Sequence, residues 1–368
     1  MSTSQSEFQT KIKLLRTLLE KHGMDAVLLR RMSSFAWATC GAASYVNTAT
    51  TEGAATLLIT HDHLYLVTNN IEAPRMEQEE KLAEQGWEFR VSPWYMPLLA
   101  LENLISNLSL ISDVPFSGSI NVNEEIARLR SHLTPEEGER FRYLGHLCAD
   151  AMTAVAQVMR PGMSEIYLAG LLAFEAQQRG IQPIVNLIAT DDRAYCFRHR
   201  LPTGKKLDKY AMLVLCGRCF GLVCSITRLV HFGTLSEDLH HRVSATAQVN
   251  ATLIAGSRPE RCLSDVLAEA QLSYSNVGFP TEWQQHHQGG IAGYEPREIL
   301  AMPTSTEVIV EGQVLAWNPS IAGAKMEDTI LVGVHSNEIL TPTSLWPVLS
   351  INIPGMPGNV LSHLVLEI

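Results

Sequence analysis

The chain has 368 residues, 46% of them hydrophobic and 18% charged, and a formal net charge of −10. That length exceeds one ordinary core and predicts two domains. No apolar run is long enough to span a bilayer, and an acidic balance without a Lys/Arg run argues against nucleic acid or an anionic membrane as partner.

The N-terminal segment MSTSQSEFQTK lacks the basic and apolar regions of a secretory signal. Phe8, Ile12, Leu15, Leu18 and Leu19 then recur at helical spacing over residues 7–22. Gly23 stops that helix, and residues 25–29 read as a buried strand. Strands at 55–60 and 63–67 follow, joined by a polar turn. Residues 70–84 read as helix, 86–91 as strand, and 97–108 as a helix opened by Pro97. This alternation predicts an α/β domain over residues 1–133.

The pattern changes at Thr134, a helix cap followed by Pro135, Glu136 and Glu137. A long amphipathic helix runs to about Met159, Pro161 and Gly162 break it, and Ser164 opens a second helix that ends near Arg179. Strands are predicted from Leu187 to Val230, helices over 238–256 and 262–274, and strands again from Thr304 to the end. Residues 134–368 therefore read as helix pair, sheet, helix pair, sheet. The seven cysteines lack framework spacing and predict reduced thiols in a cytoplasm.

The segment from Leu213 to Gly233, LVLCGRCFGLVCSITRLVHFG, carries the most information. An apolar strand enters, a Gly-containing turn follows, and a second strand passes through Ser225, Ile226, Thr227 and Arg228. Four further patterns accompany it: Met159 to Glu165 (MRPGMSE); His199 with Leu201 and Pro202; His286-His287-Gln288-Gly289-Gly290 with Arg297-Glu298; and Trp317-Asn318-Pro319 with Glu327-Asp328-Thr329. In order and spacing these five resemble the pita-bread hydrolases, in the branch of creatinase, prolidase and aminopeptidase P. The resemblance implies an α/β N-terminal domain and an α+β pita-bread C-terminal domain. It also implies a homodimer.

Metal-dependent members of that family hold two divalent ions on two Asp, one His and two Glu. By resemblance the Asp positions are Cys216 and Ser225, the His is His286 or His287, the first Glu is Asn318, and the second Glu is kept as Glu327. Three carboxylates are gone, and two adjacent dications need several anionic oxygens. No metal ligands are assigned and no cofactor is expected. A single ion on Cys216, a His and Glu327 is an alternative, since zinc accepts S, N and O. A thiol nucleophile at Cys216 is another.

Creatinase also lacks the metal-binding acids and cleaves a C–N bond with a His and carboxylates. Its catalytic His corresponds to His199, which is therefore the candidate general acid/base. The candidate catalytic set is His199, His287 and Glu327. The candidate substrate-binding set is His286, Arg228, Arg297, Glu298, Asn318 and Lys325. Of the adjacent His286 and His287, on one strand, a single ring is expected in the site. Glu327 and Asp328 have a structural alternative, an internal ion pair with Lys325 or Arg228. The Arg residues suit a carboxylate, so the expected substrate is a small carboxylate-bearing molecule or a short peptide. The expected function is a metal-independent hydrolase of a C–N bond. The alternatives are a non-catalytic ligand-binding or dimerisation relative, and a metallopeptidase of Xaa-Pro type with altered ligands.

Overall fold

The structure is a computed structural model that describes residues 5–355 and 358–368. The chain divides into two compact units, residues 1–130 with 220–222, and residues 131–219 with 223–368.

The first unit opens with α1 (Gln5–His22), which buries Phe8, Ile12, Leu15, Leu18 and Leu19 as their spacing requires. It continues with β1 (Ala26–Arg31), α2 (Met32–Ala38), β2 (Glu52–Thr60), β3 (Leu64–Asn69), α3 (Ala73–Gln78), β4 (Glu88–Ser92), α4 (Leu99–Ile105), β5 (Leu110–Ser112), β6 (Ser119–Asn121) and α5 (Asn123–Ser131). The strands form one mixed sheet in the order β4-β3-β2-β1-β5-β6. The helix expected over 70–84 is shorter than its periodicity suggested. Beyond it Lys81 takes a left-handed φ of 56°, which a helix cannot accommodate. Helix α2 and strands β5 and β6 had no counterpart in the sequence reading; the two strands hold three residues each, too few to show a period.

The second unit begins with α6 (Pro135–Val158). Thr134 caps it in a reciprocal box: the Glu137 N–H donates to Thr134 Oγ1 at 3.3 Å, and the Thr134 N–H donates to Glu137 Oε2 at 2.7 Å. Then come α7 (Glu165–Gln177), β7 (Gln182–Thr190), α8 (Arg193–Cys196), β8 (Tyr210–Cys219), β9 (Leu222–His231), α9 (Glu237–Gly256) and α10 (Leu263–Asn276). The remaining strands are β10 (Gly289–Ala292), β11 (Ile299–Leu300), β12 (Val314–Trp317), β13 (Ser320–Ile321), β14 (Ala324–Lys325), β15 (Asp328–Leu331), β16 (Glu338–Ile339), β17 (Val348–Asn352), β18 (Asn359–His363) and β19 (Val365–Glu367).

Two sheets carry this unit, β19-β9-β8-β7 and β11-β10-β12-β15-β16. Each follows a helix pair, which is the expected repeat. Strands β10 and β11 lie earlier than the strands expected from Thr304, because Gly289 and Gly290 carry no strand propensity. Helix α9 serves both cores. Val243, Ala247 and Ala251 face one cluster, with Met212, Val214 and Leu229. Val249 and Leu253 face the other, with Val266, Leu315 and Ile330. A helix buried on two sides needs apolar residues on both, which is why its sequence looks only weakly amphipathic.

The two sheets meet at a bridge between Thr227 and Glu327, where the Thr227 N–H donates to the Glu327 carbonyl at 3.1 Å. Two residues away, Thr329 Oγ1 accepts from the Ser225 N–H at 2.9 Å and donates to the Ser225 carbonyl at 2.8 Å. The candidate site lies on this seam.

Candidate active site

Strands β8 and β9 form a hairpin whose turn residues Phe220 and Gly221 have φ of 52° and 76°. Two successive positive φ values match the twist of the flanking strands. The hairpin brings Cys216 and Ser225 together, with Sγ and Oγ 3.2 Å apart and both side chains buried. Burial, and secondarily the charge of Glu327, pushes the Cys216 thiol up to about 11. In the metal-free chain it is therefore a thiol at neutral pH.

Glu327, just ahead of β15, is 2% exposed. Its Oε2 accepts from Lys325 Nζ at 2.7 Å and from Thr227 Oγ1 at 2.7 Å, and its Oε1 accepts from Arg297 Nη2 at 3.1 Å. Burial alone would raise this carboxyl, but Lys325 and Arg297 outweigh it and hold the group at about 2. Glu327 is thus a fixed anion. A carboxylate held ionised near neutrality is suited to fixing charge in the site rather than to carrying a proton.

Arg297 also donates from Nη1 to Ser225 Oγ at 3.3 Å. Two cations therefore stand against one carboxylate, leaving a net positive charge. Lys325 uses one of its three N–H groups on Glu327, and Arg297 Nε has no partner among the described residues. Asn318 Oδ1 is likewise buried without a partner.

Arg228, expected among the substrate-binding residues, spends its guanidinium on protein partners. Its Nε donates to Thr343 Oγ1 at 2.8 Å, its Nη1 to the carbonyls of Thr227 and Glu327, and its Nη2 to Asp328 Oδ1 at 2.8 Å and the Thr341 carbonyl at 2.5 Å. All five donors of the guanidinium are used, and the residue is 2% exposed. Asp328 stays ionised, held far below the usual carboxylate range by Arg228 and His363 against the opposing effect of burial. Both structural alternatives read from the sequence, Lys325 with Glu327 and Arg228 with Asp328, are present. Glu298 is also committed elsewhere. Its Oε1 accepts from the N–H groups of Tyr294 and Glu295 at 2.9 and 3.1 Å, closing a loop.

His199 rides on the loop between α8 and β8. Asp191 accepts from the N–H groups of Asp208, Lys209 and Tyr210 and closes the base of that loop. Buried Glu165 fastens it again, through Thr190, Thr203 and Arg193. Arg200 anchors inward on the Ala194 carbonyl at 2.6 Å, which leaves His199 exposed beside it.

A 3-10 turn, Glu282–Gln285, precedes His286 and His287. Arg198 pairs with Glu282 and also donates to Ser320 Oγ at 3.0 Å, so it ties the His199 loop to that turn. Gln288 Nε2 donates to the His286 carbonyl at 2.6 Å, and Gln288 Oε1 accepts from Tyr274 Oη at 2.8 Å. Gly289, with φ of +114°, lies so close to β12 that a Cβ would stand 2.2 Å from the Ala316 carbonyl oxygen.

The outcome differs from the one-ring expectation. His286 Nε2 lies 3.2 Å from His199 Nε2, and the rings of His286 and His287 stack with centroids 4.4 Å apart. One ring nitrogen from each of the three lies within 4.8 Å of the others. Strand alternation does not apply, because β10 begins only at Gly289. Burial, then Lys325, lowers His199 and brings His286 to about 3; burial, then Arg297, brings His287 to about 4. All three are neutral imidazoles at neutral pH.

Trp317 is fully buried and donates to Ser257 Oγ at 2.8 Å, so it is core. A cavity of about 710 Å³ opens elsewhere in this unit, lined by Asp150, Arg258, Asn337, Val360 and His363 among others. It holds none of the candidate catalytic side chains.

Residues 139–333 match the sequence pattern of metallopeptidase family M24. The chain belongs to that family. M24 is a family of peptidases, hydrolases of the peptide C–N bond. An uncharacterised peptidase of Staphylococcus haemolyticus is 25% identical over 232 residues, 60% of this chain and 65% of the relative. An Xaa-Pro dipeptidase of Pyrococcus horikoshii is 19% identical over 350 residues, 90% of this chain and 97% of the relative. In structure the chain resembles an Xaa-Pro dipeptidase from Bacillus anthracis, with a TM-score of 0.78 at 18% identity, over 92% of this chain and 99% of that one. The first curated relatives are thus matched over 65% of their length.

M24 members normally use divalent metals. The residues here do not fit the family's carboxylate-held pair. Cys216, Ser225 and Asn318 stand where the resemblance expects acids, and the one Glu has both oxygens on protein cations. The sequence reading found the positions around Glu327 but missed Glu282, whose partner lies 84 residues away.

Proposed function

We propose that this M24 protein hydrolyses a C–N bond in a small carboxylate-bearing molecule or short peptide, without the metal pair of its family. The observation that carries the reading is the pairing of Lys325 and Arg297 on the two oxygens of Glu327. Built-in cations stand on the retained carboxylate, and their spare donors suit an anionic substrate or a developing oxyanion.

His199 is the proton carrier in this reading. Neutral imidazole takes a proton from water as the water oxygen attacks the carbonyl or amidine carbon. It then returns that proton to the leaving nitrogen. His287 and His286 line the approach beside it, and Asn318 supplies a further polar group. Glu327 positions the two cations and carries no proton. Among the described residues no helix is long and apolar enough to cross a membrane. We place the protein in the cytoplasm, on its seven free thiols, and as a homodimer, on family resemblance.

The test pairs a ligand panel with two variants. Dipeptides, N-acyl, ureido and amidino acids are compared with their amides by thermal shift and by amine release. Carboxylated ligands are expected to stabilise the protein, and Lys325→Met to abolish that preference. His199→Ala is expected to lose on the order of 100-fold or more in turnover. Equal response to acids and amides would refute the substrate class. Full activity in His199→Ala would refute the mechanism.

A further inference from the structure

The three imidazoles do more than the reaction requires, since one suffices to carry a proton. Two nitrogens bonded to one zinc at 2.0–2.1 Å in tetrahedral geometry stand about 3.3–3.4 Å apart. His199 Nε2 and His286 Nε2 are 3.2 Å apart. The third ring completes a group whose ligand atoms all lie within 4.8 Å. The ring centroids are 4.4, 4.9 and 6.3 Å apart, so all three surround one small volume. The Nδ1 atoms of His286 and His287 are buried and have no partner among the described residues. Apart from the contact between His286 and His199 inside the cluster, no hydrogen bond among the described residues holds either ring away from an ion.

We propose that His199, His286 and His287 form a binding site for one late transition-metal ion, zinc or copper, and that filling it inhibits the enzyme. The set differs from the carboxylate site implied by the family, and it uses a nitrogen of the residue that carries the proton. An ion on His199 takes the lone pair that would accept the proton of water.

The electrostatics select the ion. Lys325 and Arg297 repel a cation here, and Glu327 offsets them in part. Ions held by charge on oxygen, such as magnesium and manganese, gain little from three neutral rings. Zinc and copper bond imidazole strongly and can overcome the local positive charge.

This inference rests on the proposed role of His199 for its inhibitory half alone. The full chain is stripped with a chelator and dialysed against zinc, cobalt(II) or manganese. Elemental analysis counts the ions, and the cobalt(II) spectrum reports nitrogen ligation. One zinc per chain and no manganese are expected. The zinc is lost in His199→Ala, an exposed loop position that leaves the core intact, and in the His286→Ala/His287→Ala pair. It is kept in Cys216→Ser. Zinc lowers turnover by roughly 100-fold, and chelator restores it. Failure to bind zinc, or zinc retained in the histidine variants, would overturn the site while leaving metal-free hydrolysis standing. Zinc bound through these histidines and required for turnover would overturn the inhibition and the metal-free mechanism, and would keep the site.

Discussion

Position 327 sets the chemistry of the centre at the residue scale. A buried carboxylate with a cation on each oxygen is costly to assemble, and removal of Lys325 takes a charged hydrogen-bond donor from Glu327 while Arg297 still balances its charge. Lys325→Met is expected to destabilise the protein by about 2 kcal/mol, read as a lower midpoint in urea. An unchanged midpoint would mean that the pair contributes nothing. Acid acts first on the two histidines and then on Glu327. His286 and His287 stay neutral in the folded chain down to about pH 3 and 4. The unfolded chain binds those protons from about pH 6.5. Stability therefore falls as pH drops from about 6.5 toward 4. Glu327 has a folded value of about 2. Its contribution is complete above the ordinary carboxylate range and is lost as pH falls toward that value. In metal-free buffer, His286→Gln with His287→Gln should flatten the loss between pH 6.5 and about 4. An identical slope in the variant would show that the rings are not the groups titrating.

Elements explain why some of this was legible in the sequence and some was not. The Thr134 box is local, three residues wide, and its helix was visible from capping residues alone. Thr134→Ala should cost about 1 kcal/mol, and a cost near zero would mean that tertiary contacts hold the helix start. The β8–β9 hairpin was visible because its apolar runs flank a Gly turn. Three features were not legible. His199 meets His286 across 87 residues, and Thr227 meets Glu327 across 100. No periodicity encodes such pairs. The two-histidine step departs from the strand expected at residues 286 and 287, because the chain there leaves a 3-10 turn. For Arg228 the sequence offers both substrate binding and an ion pair, and the pair with Asp328 is the one its five partners accompany. Arg198, on the His199 loop, links two such elements. Arg198→Ala should lower turnover with little change in stability, because it frees the loop from Glu282 while Arg200 and Glu165 still hold its base. A variant as active as the parent would show that the tie is not needed.

The whole molecule keeps the architecture of M24, and in the proposed reading Lys325 and Arg297 supply the positive charge on its seam. Metal-dependent relatives hold two cations on a set of acids by exchange with solvent; here Lys325 and Arg297 are part of the chain. On that proposal the seam places built-in positive charge beside His199, the proposed proton carrier. The measurement closest to this claim is manganese binding to the chelator-stripped protein, counted by elemental analysis after dialysis. Oxygen-seeking manganese needs the missing carboxylates. The account predicts none bound. Two manganese ions per chain would mean that the centre still assembles the family's pair, and the account would fail.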